Sequence, residues 1–367
     1  MQKNSYLIAA LAAAALVSNA ARGELTIDQL IAESALAVNE MAMRDVPGYD
    51  ATHKIVIRDV GFGLRRLGER FADLDIVVVT SLAEARQHAP QAGAIVGYCD
   101  AELIAAAPKV TWVQIFSAGA EHCLAATEIS EGRVVLTNMQ KMSSPTIAEH
   151  TIAMLLALTR KLPYFGEAMQ DGSWARGGSA ADGMTTIAGK TMLVLGLGGI
   201  GTEVARRASA MGMRVIGTRN SSRQGPDFVD YVGLSDEMTT LAGEADVIVN
   251  ALPLTDQTRG LIDERLFASA RRGSYFINIG RGATVDTDDL LTSLQSGQLG
   301  GAGLDVTDPE PLPPDHPLWK ADNVIITPHV SSWGSDTRRH ELLLIENLAR
   351  YATGDPLYNV VDPTKGY

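Results

Sequence analysis

Apolar positions fall into two successive series of short runs, and each series reads as a sheet with crossover helices. In the first, β-rich runs at 54–60, 75–80, 93–96, 110–116 and 134–137 are separated by stretches with helical spacing. Such alternation belongs to parallel strands whose connections return across the sheet faces. A longer helical pattern at 146–161 then turns Ile147, Ile152, Leu155, Leu156 and Leu158 toward one buried surface. The second series begins at Thr191 with MLVLGLGGIG and continues through MRVIGTR, DVIVNALP, SYFINIG, GAGLDV and NVIITPHV. Between the two, residues 164–188, with Gly172, Gly177 and Gly178, read as a loop or arm, and an amphipathic helix is expected at 336–351. Residues 24–46 carry Leu30, Ile31, Ala35, Leu36, Val38, Met41 and Met43 and end at Pro47-Gly48, which predicts an amphipathic helix outside the main body.

The length of 367 residues suits two domains with an appendage. With 46% apolar and 20% charged residues the chain is globular in composition, which excludes wholesale disorder and fibrous repeats. A net charge of −12 with no basic block argues against a nucleic-acid surface. Cys99 and Cys123 fit neither a metal cluster nor a disulfide framework, so a reduced pair is expected, with one disulfide as the alternative in an exported chain. Residues 1–22 have the layout of a signal peptide: a Lys near the start, an apolar run from Leu7 to Val17, then Ser18-Asn19-Ala20. That run is too short for a stable membrane span. Export is therefore expected, with a cytoplasmic location as the alternative.

Chemistry first enters at Gly196-Leu197-Gly198-Gly199-Ile200-Gly201, where a buried strand runs into G-x-G-x-x-G and then a helical pattern. Glycine lets the backbone approach a pyrophosphate, which sits on the N–H groups of the helix start. The second strand ends not in the acidic residue that would accept from a ribose hydroxyl but in Arg219, with Ser221, Ser222 and Arg223 beyond it. These side chains suit a 2′-phosphate, so NADP is the expected cofactor and NAD the alternative. Leu252, Pro253 and Thr255 follow another strand at its carboxyl end, where they would border the cofactor.

Three further motifs, Phe276-Ile277-Asn278-Ile279-Gly280-Arg281-Gly282, Gly303-Leu304-Asp305-Val306-Thr307-Asp308-Pro309-Glu310-Pro311 and Ile326-Thr327-Pro328-His329, occur in that order. Over about residues 54–367 the chain resembles the D-isomer-specific 2-hydroxyacid dehydrogenase family, and its DVTDPEPLP segment is similar to the glyoxylate/hydroxypyruvate reductase members. The resemblance implies that Arg281 binds a substrate carboxylate and carbonyl, that Glu310 pairs with and orients His329, and that His329 passes a proton to or from the carbonyl oxygen. It places Ile279 and Asp305 at the cofactor, Asp305 at the nicotinamide carboxamide. The backbone of Ser117, Ala118 and Gly119 is placed at the substrate carboxylate. By chemical type alone His316 and His150 rival His329, but His316 lies in a Pro-rich loop and is expected to cap a turn, and His150 to pack along its helix.

The implied fold is α/β with two doubly wound parallel-sheet domains: a flavodoxin-like substrate domain of 51–146 plus 331–367, and an inserted Rossmann dinucleotide domain of 147–330. Residues 23–50 are a helical extension. The implied activity is metal-free hydride transfer between NADP(H) and a small 2-oxo/D-2-hydroxy acid by a homodimer. A nucleotide-sensing co-regulator of the same fold is the alternative.

Overall fold

The computed structural model describes residues 25–61, 67–176, 182–220, 222–321 and 323–366; the signal-like residues 1–22 and Ser221 lie outside them. Within it the chain divides into two compact units, one built from the residues up to Met142 and from Asp336 onward, the other from Ser143–Ser335. Both junctions fall a few residues from the boundaries read in the sequence, because each coincides with the start of a helix. The strands are β1 (Lys54–Arg58), β2 (Ile76–Val79), β3 (Ala92–Val96), β4 (Trp112–Gln114), β5 (Val135–Thr137), β6 (Thr191–Leu195), β7 (Arg214–Thr218), β8 (Tyr231–Gly233), β9 (Val247–Asn250), β10 (Ser274–Asn278), β11 (Leu299–Leu304) and β12 (Val324–Ile326). The longer helices are α1 (Ile27–Ser34), α2 (Ser144–Thr159), α3 (Leu162–Gln170), α4 (Gly199–Ala210), α5 (Thr287–Gln295) and α6 (Thr337–Thr353).

The first unit is a parallel sheet in the order β2-β1-β3-β4-β5. The alternation of side chains along a strand divides its core. Ile55, Ile57 and Trp112 meet Leu343, Leu344, Leu348 and Tyr351 of α6 on one face, while Val56, Ile95 and Val113 meet Leu103, Ile104 and Ile129 on the other. The predicted outlying helix at 24–46 is corrected here. Helix α1 stops at Ser34 because Ala35 turns into the left-handed region, and Leu30, Leu36, Met43 and Val46 are buried in the α6 face of the core.

The second unit is a parallel sheet ordered β12-β11-β10-β9-β6-β7-β8, with the direction of winding reversing between β6 and β9. Apolar clusters cover both faces, one including Leu193, Ile248 and Phe276, the other Val194, Val249 and Ile277 with Leu155 of α2. The fold is the expected one: two α/β domains with parallel sheets. Two local readings change. The loop read from 164 begins as helix α3, which starts after a left-handed Lys161 with Pro163 in its first turn, where a missing N–H costs nothing. The edge strand β8, three residues long, has too short a pattern to stand out. No helix among the described residues is long and apolar enough to cross a membrane.

Candidate active site

The glycine turn follows β6 at the point where the strand order reverses, the place where open α/β sheets take ligands. Gly196 has φ +91°, and its backbone lies against Ala251 and Leu252; a Cβ there would come within 3.1 Å of the Ala251 carbonyl oxygen. At Gly201 a Cβ would meet the Gly196 carbonyl oxygen at 2.1 Å, so only glycine lets α4 start this close to the strand. Gly198 is the N-cap and no side chain caps it; a Cβ there would find nothing within 4 Å. The first turn, Gly199-Ile200-Gly201, thus offers backbone N–H groups beside open space, as an anion requires.

The end of β7 is tied to this turn. Thr218 accepts from the Gly196 N–H through its hydroxyl at 3.2 Å and from the Leu197 N–H through its carbonyl at 2.9 Å. Arg219 comes next, half-buried, and its Nε is buried with no hydrogen-bond partner among the described residues. A buried guanidinium nitrogen left in this way calls for an acceptor. Arg223, read as a second phosphate ligand, is engaged elsewhere: its Nη1 donates to Tyr231 Oη at 2.8 Å and its Nη2 lies 2.7 Å from Glu237 Oε1. Hydrogen bonds from Arg223, the Leu234 N–H and Tyr231 hold the Glu237 carboxyl down to about 2. The residues present therefore fit a nicotinamide dinucleotide, with Arg219 as the side chain that lacks an acceptor.

Arg281 is positioned by two glycines. A Cβ on Gly280 would meet the Leu252 carbonyl oxygen at 2.7 Å, and one on Gly282 the Thr307 carbonyl oxygen at 1.9 Å. The Arg281 carbonyl accepts from the Thr284 hydroxyl at 2.7 Å, and its Nη1 donates to the Gly280 carbonyl at 2.8 Å. Beneath it, Asn250 Nδ2 donates to Asn278 Oδ1 at 2.9 Å and to Thr284 Oγ1 at 2.8 Å. Ile279 is buried and its N–H donates to the Asn250 carbonyl. Leu252 borders Gly196, and the Pro253 carbonyl and Thr255 N–H are held by the Thr258 hydroxyl in the turn beyond it.

His329 Nδ1 lies 2.7 Å from Glu310 Oε1, and both side chains are nearly half exposed. The His329 backbone is left-handed, φ +54°, which asparagine, aspartate and histidine tolerate best among residues other than glycine. Asp305 is buried, and its carboxylate accepts from the Thr327 hydroxyl at 2.7 Å, the Val330 N–H at 2.9 Å and the Ser331 N–H at 3.1 Å. Burial alone would raise this carboxyl, but the donors from Ser331, Thr327 and Val330 outweigh it and hold it below the usual carboxylate range. The residue read as a nicotinamide contact thus has its carboxylate directed at the chain's own donors.

The Thr327 hydroxyl spends its proton on Asp305, so it accepts from His150 Nε2, 2.9 Å away. His316 Nδ1 accepts from the Leu318 N–H and caps a turn.

In the first unit, Ser117, Ala118 and Gly119 follow β4 at its carboxyl end. Their loop is held by the Met139 N–H on the Ser117 carbonyl at 2.9 Å, by Asn138 Nδ2 on the Ala118 carbonyl at 2.7 Å and by the Ser117 hydroxyl on the Gly119 carbonyl at 2.8 Å. Cys99 and Cys123, expected as thiols, form a disulfide with their Cα atoms 5.4 Å apart, a separation that a bridge needs.

Residues 152–331 match the family model of the D-isomer specific 2-hydroxyacid dehydrogenase NAD binding domain. A glyoxylate reductase of Korarchaeum cryptofilum is 33% identical over 273 residues, 72% of this chain and 79% of that relative. The chain belongs to the D-isomer specific 2-hydroxyacid dehydrogenase family. Solved relatives agree. The D-isomer specific 2-hydroxyacid dehydrogenase of Xanthobacter autotrophicus in complex with NADPH and MES is 28% identical, covers 86% of this chain and all of its own (100%), and has a TM-score of 0.74. The NADPH-dependent glyoxylate/hydroxypyruvate reductase of Sinorhizobium meliloti in complex with NADP and sulfate gives 28%, 86%, 100% and 0.72. This protein is an NAD(P)-dependent dehydrogenase.

Reading the sequence of this dehydrogenase left three contributors unassigned. Asn250 and Asn278 build the polar floor under Arg281, and Thr327 links His150 to Asp305. The asparagines left a signal as the polar residues that close two strands, and Thr327 as a member of the Thr-Pro-His motif.

Proposed function

We propose that this dehydrogenase reduces a small 2-oxo acid of the glyoxylate or hydroxypyruvate type to the D-2-hydroxy acid, with NADPH as the preferred donor. The observation that carries the reading is the contact between His329 Nδ1 and Glu310 Oε1 at 2.7 Å. With Nδ1 turned to the carboxylate, Nε2 is the nitrogen left to hand a proton to a carbonyl oxygen. Arg281 binds the substrate carboxylate through its planar fork. In the first unit, the Ser117–Gly119 backbone is read by itself as a carboxylate contact. The nicotinamide, when bound, supplies the hydride. The glycine turn and the first turn of α4 hold the pyrophosphate, and Arg219 takes the 2′-phosphate. The names of the relatives support the substrate class.

The test is turnover of glyoxylate and hydroxypyruvate with NADPH and NADH, with chiral analysis of the glycerate formed from hydroxypyruvate. Absence of turnover with either acid, or formation of the L-product, overturns the reading.

A homodimer is proposed as well. Leu162, Tyr164 and Met169 of α3 are exposed apolar residues on the second unit, with Trp174, 90% exposed, just beyond them. So many large apolar side chains in one stretch call for cover. We also propose export: the Cys99–Cys123 bridge supports the leader read at 1–22, because disulfides persist in oxidising compartments. The intact mass of the natively expressed protein tests it, and retention of residues 1–22 would count against it.

A further inference from the structure

Cys99 lies in the loop after β3 and Cys123 in the 3-10 turn Glu121–Ala125, which follows the loop after β4. Their bridge therefore ties together two neighbouring carboxyl ends of the first unit's sheet, just past Ser117–Gly119. It is asymmetric. Cys123 is 1% exposed, whereas Cys99 is only partly buried. His122 is exposed, and its Nε2 lies 3.5 Å from Cys123 Sγ; the three donor atoms of Cys99, His122 and Cys123 all fall within 4.8 Å of one another. The less buried cysteine, the buried cysteine and an imidazole stand in the order that thiol–disulfide exchange needs: a point of attack, a leaving thiolate and a proton donor beside it.

We propose that Cys99–Cys123 is a thiol–disulfide exchange site opened by an external dithiol, and that its state sets how firmly the Phe116–Ala120 loop is held for the substrate. The second half rests on the reading of Ser117–Gly119 as a substrate contact. One thiolate of the dithiol attacks Cys99 Sγ and forms a mixed disulfide there. The Cys99–Cys123 bond breaks, its electron pair passes to Cys123 Sγ, and His122, made an imidazolium by the proton released from the reagent's first thiol, delivers a proton from Nε2 to that thiolate. The second thiol of the reagent then attacks its own sulfur in the mixed disulfide and releases Cys99, which takes up a proton. Two electrons pass from the dithiol to the bridge, the dithiol ends as a cyclic disulfide, and its two thiol protons are matched by those gained at Cys99 and Cys123.

The structure shows what opening would remove. The loop keeps its hydrogen bonds to Asn138 and Met139 on the β5 side. On the β3 side the bridge is a covalent tie, next to the place where the Phe116 ring packs so closely on Gly97 that a Cβ there would come within 2.6 Å of it. Without the bridge, the Glu121–Ala125 turn and the loop before it lose their covalent tie to the β3 side and keep the hydrogen bonds on the β5 side.

The test uses the full chain, oxidised or treated with dithiothreitol under native conditions, with thiols counted by alkylation and intact mass. Expected are two new alkyl groups, faster amide exchange at 117–123 and a KM for glyoxylate raised about threefold or more, with NADPH affinity unchanged. His122→Gln should slow opening at least threefold while leaving the oxidised protein's amide exchange as it was, and Cys99→Ser should reproduce the reduced state without reagent. A bridge that opens only on unfolding overturns the proposal, as does one that opens without changing amide exchange at 117–123. Failure of the oxidised protein to turn over glyoxylate would instead strike the functional reading, and the mass and exchange measurements would still decide the fate of the bridge.

Discussion

The main-chain N–H of His329 donates to the main-chain carbonyl of Asp305 at 2.8 Å, while the Asp305 carboxylate gathers the N–H groups of Val330 and Ser331, the next two residues. One buried aspartate thus brackets the left-handed turn on which His329 stands. Asp305→Asn keeps the size but presents an amide to donors, and should cost about 2 kcal/mol, the scale of a charge-assisted bond lost in a buried site. The native carboxyl is depressed, so its contribution is full above the ordinary carboxylate value near pH 4 and is lost as pH falls through the lower native value. Urea melts of wild type and variant at pH 7 and in acid should show the gap close; a gap independent of pH would refute the account.

For His329 the expected loss is catalytic. A positioned acid contributes about 10²–10⁴-fold, so His329→Gln should lower kcat on that scale while NADPH titration stays near wild type. Glu310→Gln should cost less than His329→Gln, since it leaves the imidazole in place without its charged partner. If His329→Gln keeps turnover within threefold, the proton comes from another group.

Arg281→Lys retains the charge and loses the fork. Its glycine neighbours fix the backbone, so the shorter reach of lysine cannot be recovered by a shift of the loop. A fall in kcat/KM for glyoxylate of about 10²-fold is expected, and an unchanged KM would exclude Arg281 from carboxylate binding.

The proposed role of Arg219 gives a prediction about cofactor choice. With Arg223 held by Glu237 and Tyr231, a 2′-phosphate meets Arg219 first, and one charge-assisted contact at a partly exposed site is worth about tenfold in affinity. Wild type should prefer NADPH by about that factor in kcat/KM, Arg219→Asp should reverse the order, and Arg223→Ala should change it little. Equal use of the two nucleotides by wild type would show that Arg219 has some other acceptor.

The apolar face of α3 gives the assembly prediction. Sedimentation of wild type at twice the chain mass, with Tyr164→Glu and Met169→Glu together shifting it toward one chain mass, is the expected result. A wild-type monomer would rule the dimer out.

What the sequence disclosed depended on range. Gly196, Gly198 and Gly201 are legible because a strand, a turn and a helix start lie within a few residues, and Gly196 and Gly201 answer a local steric demand. The order of Arg281, Glu310 and His329 is legible through motif wording, although their geometry is not. The pairing of Arg223 with Glu237 is not legible, because Glu237 stands beyond an intervening strand, β8, too short to stand out. The segment after α1 was placed outside the body because its apolar residues lose helical spacing at Ala35, and their cover comes from α6, far along the chain. Cys99 and Cys123 carry no local sign of pairing either; the fold alone brings them together.

The first unit also carries a consequence for biosynthesis. Its strands are translated before residue 138, yet Leu343, Leu348 and Tyr351, which cover Ile55 and Trp112, emerge only after the second unit has been made in full. So does Asn347, whose Nδ2 donates to the buried Gln114 at 3.1 Å. On the ribosome the second unit, a continuous stretch, can close first, while the older sheet waits with one face short of its α6 cover. A nascent chain halted before Thr337 would present that face to chaperones or to its neighbours.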